Sequence, residues 1–371
     1  MLGLLRSSVL TLLFCAGTAA HAASPDAAIT EQVQTHRFSG TILVQKDSRV
    51  RYLRSFGLAN YELGVANTNR TVYRIASITK LFTSTLILQL HEAGRLDLDK
   101  PFGEYLPGYR GQAASRVTVH QLLNHTSGLP NIDRIPNIEN ADEAISAQLD
   151  DAAKHARLPI YQTPYTSDQL LEKFCSDPPV RPPGQSFDYN NADYIILGKI
   201  IEALYRKSYE EVLQERILRP LRLEHTGMAH HARLVPGLAD PYSLGADGKT
   251  LEKDMPVYPE NWYAAGAMYS TADDVLKFSN ALFGGGLLNA KSLALLTQPG
   301  LDRYGYGLWI YEKKIGGKNY RIAKRPGRIM GTRSELYRFL DSDLTVVILG
   351  NTGAADLDAL AAEVGRIMVE S

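Results

Sequence analysis

Tyr73-Arg74-Ile75-Ala76-Ser77-Ile78-Thr79-Lys80 runs straight into the apolar stretch Leu81 to Ala93, which Gly94 stops at the position after a helix C-terminus. The pattern predicts a helix that carries Ser77 at its first turn and Lys80 one turn on, on the same face. That spacing brings an amine within reach of a hydroxyl. A serine hydroxyl is a poor nucleophile until a base takes its proton, and a desolvated lysine can do so. The helix N-terminus adds backbone N–H groups that favour developing negative charge. Alone, the four residues also fit a capping serine followed by a surface lysine.

Further along, Tyr189-Asn190-Asn191 follows Pro182-Pro183-Gly184 and precedes a second helical stretch, Ala192 to Leu204. A tyrosine and an asparagine two apart at a loop–helix junction can both face a cleft. Tyr189 can relay a proton, and the Asn191 amide can bind a substrate carbonyl or hold the lysine.

Around this centre the pattern divides. Pro25 to Arg37 reads as a polar helix, followed by strands at 41–45 and 50–54 across the turn at Asp47-Ser48. Residues from about Thr79 to Arg222 are largely helical. Strands return at 306–311 and 320–323 around Gly316-Gly317, and at 334–340 and 344–349 around Asp341-Ser342-Asp343, before a last helix from Ala354 to Met368. Short strands joined by hairpins make an antiparallel sheet. Strands at both ends with a helical middle predict one α/β region, 23–70 with 262–371, and an inserted helical region, 71–261. The stretch 131–177, with a charged amphipathic segment near Asp142 to Lys154, reads either as a lid or cleft wall or as a surface insertion without a role.

Composition narrows the function. The 371 residues carry 40 basic and 40 acidic side chains, which argues against nucleic acid or an anionic membrane surface as partner. Residues 1–22 read as a secretory signal: a positive start ending at Arg6, an apolar run from Val9 to Cys15, and Ala20-His21-Ala22 as a small-x-small cleavage pattern. Export to the periplasm or medium follows, with no membrane span after cleavage. Bulky Phe14 makes Cys15 a poor lipoprotein cysteine, and Cys175 is then the one cysteine left, in a structural role.

The chain resembles the serine β-lactamase and penicillin-recognising hydrolase superfamily, especially its class C-like branch of esterases, D-aminopeptidases and carboxypeptidases. The resemblance spans roughly 38–351. Four blocks carry it in order: 73–80, then Gln121-Leu122-Leu123-Asn124-His125-Thr126-Ser127-Gly128-Leu129-Pro130, then 187–194, then Ala265-Gly266-Ala267-Met268-Tyr269-Ser270 with Thr271 to Asp274. It implies a β-lactamase-like α/β fold, an antiparallel sheet flanked by N- and C-terminal helices with the helical region inserted. It also implies a covalent acyl-enzyme on Ser77 and no metal or organic cofactor. The third family motif, Lys or His, any residue, then Gly, is here Arg325-Pro326-Gly327. Arg325 cannot shuttle protons, but its planar fork suits a substrate carboxylate, and that anchor is the expectation. Gly327 allows close approach, and the resemblance assigns the oxyanion to the backbone N–H groups of Ser77 and Arg328.

Other candidates fare less well. In relatives the His125 block is mainly structural. His230-His231 lacks any metal-ligand spacing. Gly245 to Thr250 ends like a phosphate loop, yet Ser243 stands where its first glycine belongs. The expected function is therefore an exported serine hydrolase of small amides or esters, its substrate a small molecule or peptide, with a carboxylate-bearing one as an option. The alternative is a penicillin-binding or ligand-sensing protein without turnover, favoured by the altered third motif.

Overall fold

Asp47 and Ser48 both adopt positive φ, 52° and 58°, the geometry of a tight turn whose twist matches two antiparallel strands. They join β1 (Gly40–Lys46) to β2 (Arg49–Phe56). A second such turn, Gly316-Gly317, with φ 54° and 83°, joins β3 (Trp309–Ile315) to β4 (Lys318–Ile329). With β5 (Thr332–Phe339) and β6 (Leu344–Gly350) they form a six-stranded sheet in the order β3-β4-β5-β6-β1-β2. Every pairing is antiparallel. The two chain ends meet where β1 lies on β6, from Gly40 opposite Gly350 to Lys46 opposite Leu344. The computed structural model describes residues 24–132 and 159–371, so the signal at 1–22 and the amphipathic segment at 142–154 lie outside the described residues.

Alternation along β1 separates two cores. Ile42 and Val44 join Ile29 and Val33 of α1 (Pro25–Thr35) and Leu360 and Val364 of α5 (Leu357–Glu370) on one face. Leu43 faces the other way, with Leu336, Val347 and Leu349, into the helical layer. That layer centres on α2 (Thr79–Glu92), buried along nearly its whole length, as a helix that is apolar all round must be. Phe82 of α2 stacks on Phe278 of α4 (Ala272–Phe283) at 3.7 Å between ring centroids. Between them in sequence lies α3 (Asn191–Tyr205).

Among the boundaries that differ from the sequence expectation, three have a clear physical reason. Strand β3 begins at Trp309 instead of Tyr306 because Gly307 turns through φ 89°. A Cβ there would lie 3.0 Å from Ser84 Oγ and 3.2 Å from Tyr194 Oη. Helix α5 begins at Leu357 instead of Ala354 because Asp356 caps it, accepting from the N–H groups of Asp358 (3.1 Å) and Ala359 (3.2 Å). Strand β4 continues six residues beyond Ala323, while its pairing to β3 stops at Trp309 opposite Lys324. Residues 325–329 thus present a free edge, where Pro326 has no N–H to leave unpaired.

Candidate active site

The turn that carries Ser77 is pinned on every side. Tyr73–Arg74, Met268–Ser270 and Gly227–Met228 form a small three-stranded sheet that the sequence reading did not anticipate. From it Ile75 N–H donates to Met268 O at 2.9 Å. Ser334 Oγ donates to Ile75 O at 2.8 Å, which ties the turn to β5. Thr79 Oγ1 donates to Ala76 O at 2.7 Å and accepts from Met268 N–H at 3.2 Å. Ala76 itself sits at φ 46°, a left-handed conformation that a non-glycine residue adopts only when its surroundings impose it. Gly327 explains how close the strand comes: a Cβ there would lie 2.1 Å from Ser334 Oγ and 2.5 Å from Ile75 O.

Ser77 Oγ stands between two groups. Tyr189 Oη donates to it at 2.9 Å, and Lys80 Nζ donates to it at 3.3 Å. Lys80 is fully buried and also donates to Asn191 Oδ1 at 2.6 Å and to Ala265 O at 2.9 Å. The amine is thus held between the serine, the Asn191 amide and a backbone carbonyl. Its charge is further met by the rings of Tyr189, at 4.7 Å, and Tyr194, at 5.4 Å from the centroids. The Asn191 amide holds the lysine, one of the two uses anticipated for it.

Arg325 requires a correction. It was expected to anchor a substrate carboxylate, but its side chain is only 1% exposed and points inward behind Ser77. Nε donates to Ser77 O at 2.7 Å, Nη1 to Tyr304 Oη at 3.0 Å and Nη2 to Tyr189 Oη at 2.5 Å. Its fork therefore grips the nucleophile's own carbonyl and two phenols. The two phenols end up unlike. Burial pushes Tyr304 well above the ordinary phenol range despite Arg325. Burial also pushes Tyr189 up, but Arg325, Lys80 and the hydrogen bonds from Lys80 and Ser77 outweigh it and bring Tyr189 down to about 8. Tyr189 stacks on Trp309, with ring centroids 5.9 Å apart and planes at 17°. Arg328 lies on the free edge of β4, directly opposite Arg333 of β5, and its side chain is exposed.

His125 lies just behind this group. Its Nδ1 is 2.8 Å from Asp193 Oδ2, and its ring centroid is 4.5 Å from that of Tyr189. Burial, with Lys80 and Arg325 near, holds the imidazole well below its usual range, and burial lifts Asp193 well above the carboxylate range. The His125 backbone clamps the tyrosine loop: Asp188 N–H donates to His125 O at 2.9 Å. His230 and His231 pair with Glu210 and Glu260, and no group of three metal-ligating side chains occurs among the described residues.

Sequence reasoning missed Tyr304, Trp309 and the Ala265 carbonyl. Ala265 opens one of the four resemblance blocks, a signal that pointed to the place without giving the role.

A sequence model of the Beta-lactamase family matches residues 25–366. The chain belongs to that family. A teichoic acid D-alanine hydrolase of Staphylococcus aureus is 25% identical over 288 residues, 78% of this chain and 64% of that relative. The chain thus spans less than two thirds of the length of that curated relative. Among solved structures, a penicillin binding protein from Bacillus halodurans matches with a TM-score of 0.72 and 28% identity, covering 90% of this chain and 97% of that one. A D-stereospecific amidohydrolase from Streptomyces sp. matches with a TM-score of 0.73 and 25% identity, over 91% and 98%. In this family member no helix among the described residues is long and apolar enough to cross a membrane.

Proposed function

We propose that this hydrolase cleaves esters or amides of D-amino acids through an acyl-enzyme on Ser77. The observation that carries the proposal is the bracket around Ser77 Oγ: Tyr189 Oη at 2.9 Å on one side and Lys80 Nζ, at 3.3 Å and also held by Asn191 and Ala265, on the other. Tyr189, with a pKa of about 8 that suits work near neutrality, is the base proposed here, beside Lys80, the partner assigned from sequence. Lys80 then supplies positive charge that favours the phenolate.

In the acylation step the Ser77 oxygen bonds to the carbonyl carbon while its proton passes to Tyr189. The bond to the leaving alcohol or amine breaks, and that group departs with the proton from Tyr189. Water then adds to the acyl carbon, gives a proton to Tyr189, and releases the acid as Ser77 recovers its hydrogen. The backbone N–H groups of Ser77 and Arg328, at the turn and on the free edge of β4, are the donors proposed for the oxyanion.

The substrate class is supported by two relatives, a teichoic acid D-alanine hydrolase and a D-stereospecific amidohydrolase. Action outside the cytoplasm rests on the signal pattern of residues 1–22. The altered third motif favours the second reading, a ligand binder that acylates without releasing. A fluorophosphonate probe and D-alanine p-nitroanilide test both readings. Labelling on Ser77 by mass spectrometry, lost in Ser77→Ala, together with steady release of nitroaniline supports the hydrolase. A stable adduct without release supports the binder, and an adduct on another serine refutes the assignment.

A further inference from the structure

Trp309 opens β3, and the turn before it decides where its ring goes. Gly305 N–H donates to Leu308 O at 2.9 Å and Gly307 takes φ 89°, so the chain doubles back. The indole is thereby set edge-on against Tyr304, with ring centroids 4.6 Å apart and planes at 83°. The Arg325 guanidinium lies 5.5 Å from the same indole. Two rings then flank Tyr189: His125 at 4.5 Å between centroids, and Trp309 at 5.9 Å and nearly parallel.

Within this aromatic group His125, Tyr194 and Tyr304 are shut away from solvent. Trp309 and Tyr189 are half-buried and line the cavity of about 310 Å³ that opens onto Ser77. The one polar atom of the indole is engaged away from that lining, since Nε1–H donates to Asp302 Oδ2 at 3.4 Å. The surface that Trp309 gives to the cavity is therefore carbon. Pro326, on the free edge of β4, and Leu357, at the start of α5, add apolar surface to the same cavity. Nearby charges are engaged elsewhere. Lys324, directly opposite Trp309 on β4, lies 2.5 Å from Asp358 Oδ1, and Arg325 is turned to Ser77 and the two phenols.

Place gives this wall a role. In the acylation step the Ser77 oxygen bonds to the carbonyl carbon, the bond to the leaving alcohol or amine breaks, and the leaving atom takes the proton held by Tyr189. That atom has to come within hydrogen-bond distance of Tyr189 Oη. Whatever it carries is then the part of the substrate nearest the ring stacked on Tyr189. An aromatic group there meets indole carbon, and a charged group gains no partner from it.

We propose that Trp309 is a specificity-determining residue, the wall of a subsite for an aromatic leaving group, so that the enzyme favours esters and amides whose alcohol or amine bears an aromatic ring. The proposal rests on the reading of Ser77 as an acylating serine with Tyr189 beside the leaving atom. It adds which side of the scissile bond an aromatic ring of the protein recognises.

The test follows release of D-alanine from its benzyl and methyl esters on the full chain, with fluorophosphonate labelling of Ser77 in parallel. The two alcohols are of similar acidity and both esters give the same acyl-enzyme, so a difference in kcat/KM arises on the leaving-group side. The expected kcat/KM is at least about tenfold higher for the benzyl ester. That ratio falls toward one in Trp309→Ala and is largely kept in Trp309→Phe. Labelling of each variant verifies a working Ser77, and if Trp309→Ala does not label, Trp309→Leu, apolar but without a ring, takes its place. A wild-type ratio near one overturns the subsite. So does a ratio that survives loss of the ring while both esters slow equally, because Trp309 would then only support Tyr189. Labelling of Ser77 with neither ester cleaved also overturns it and spares the acylating serine. Absence of labelling in the wild type removes both.

Discussion

Replacing Arg325 with methionine removes the group that, after burial, most strongly sets the ionisation of Tyr189. The sign follows from the proposed chemistry: with the Tyr189 phenolate as base, activity rises with pH through the Tyr189 pKa and falls below it. In the native site that midpoint lies at about 8, against 10.0 for an ordinary phenol. Without Arg325, burial is opposed by Lys80 and the serine alone, and the midpoint moves up toward 10 or beyond. At pH 7 a shift from about 8 to about 10 lowers the phenolate fraction from roughly one in eleven to one in a thousand. A more basic phenolate is a better proton acceptor, which offsets part of the loss, so the expected fall in acylation rate at pH 7 is about tenfold to one hundredfold. The assay is pre-steady-state acylation by a chromogenic ester between pH 6 and 10.5, and Arg325→Lys should fall between the two profiles. An Arg325→Met profile that keeps the native midpoint and only loses amplitude would refute the argument, because it would mean that Arg325 positions groups without tuning Tyr189.

Two further outcomes follow from the geometry. Lys80→Met removes the ammonium that donates to Ser77 and faces Tyr189. Acylation should slow by about 10²–10⁴-fold, read by stopped-flow labelling, and near-native rates would dismiss a role for Lys80. Gly327→Ala places a methyl 2.1 Å from Ser334 Oγ and 2.5 Å from Ile75 O. It should cost about 1–3 kcal/mol in chemical denaturation, typical of overpacking, and reduce labelling of Ser77. Unchanged stability would show that the turn can retreat from β4 without penalty.

The parts of the site that lie within a few residues of one another were legible in the sequence. Ser77 and Lys80 are one helical turn apart, and Tyr189 and Asn191 share one loop–helix junction, so local geometry alone brings each pair to one side. What failed was long range. Arg325 was read as a carboxylate anchor from its place in the third motif and its planar fork. Its partners, Ser77 O, Tyr189 and Tyr304, come from three other stretches that only the folded sheet brings together. The carbonyl of Ala265, which accepts from Lys80, is likewise out of local reach, 185 positions away. The hairpins were legible because Asp47-Ser48 and Gly316-Gly317 are strong local turn formers. The start of β3 was not, because it depends on Gly307 passing close to Ser84 and Tyr194.

The pairing of β1 with β6 fixes when in the life of the chain this site can exist. A contact such as Arg325 to the carbonyl of Ser77 closes a loop of 248 residues, and distant closures of this kind come late and slowly in folding because chain entropy resists them. Ser77, the proposed nucleophile, is made early during synthesis, whereas the strand that carries Arg325 and lines the pocket is made near the end. A partly synthesised or C-terminally clipped chain carries Ser77 and Lys80 but lacks the free edge of β4 and the guanidinium that tunes Tyr189. Such a chain is chemically silent toward its substrate. Catalytic competence thus becomes a report that the whole sheet has closed, and acylation of Ser77 can serve as a stopwatch for that closure in refolding experiments.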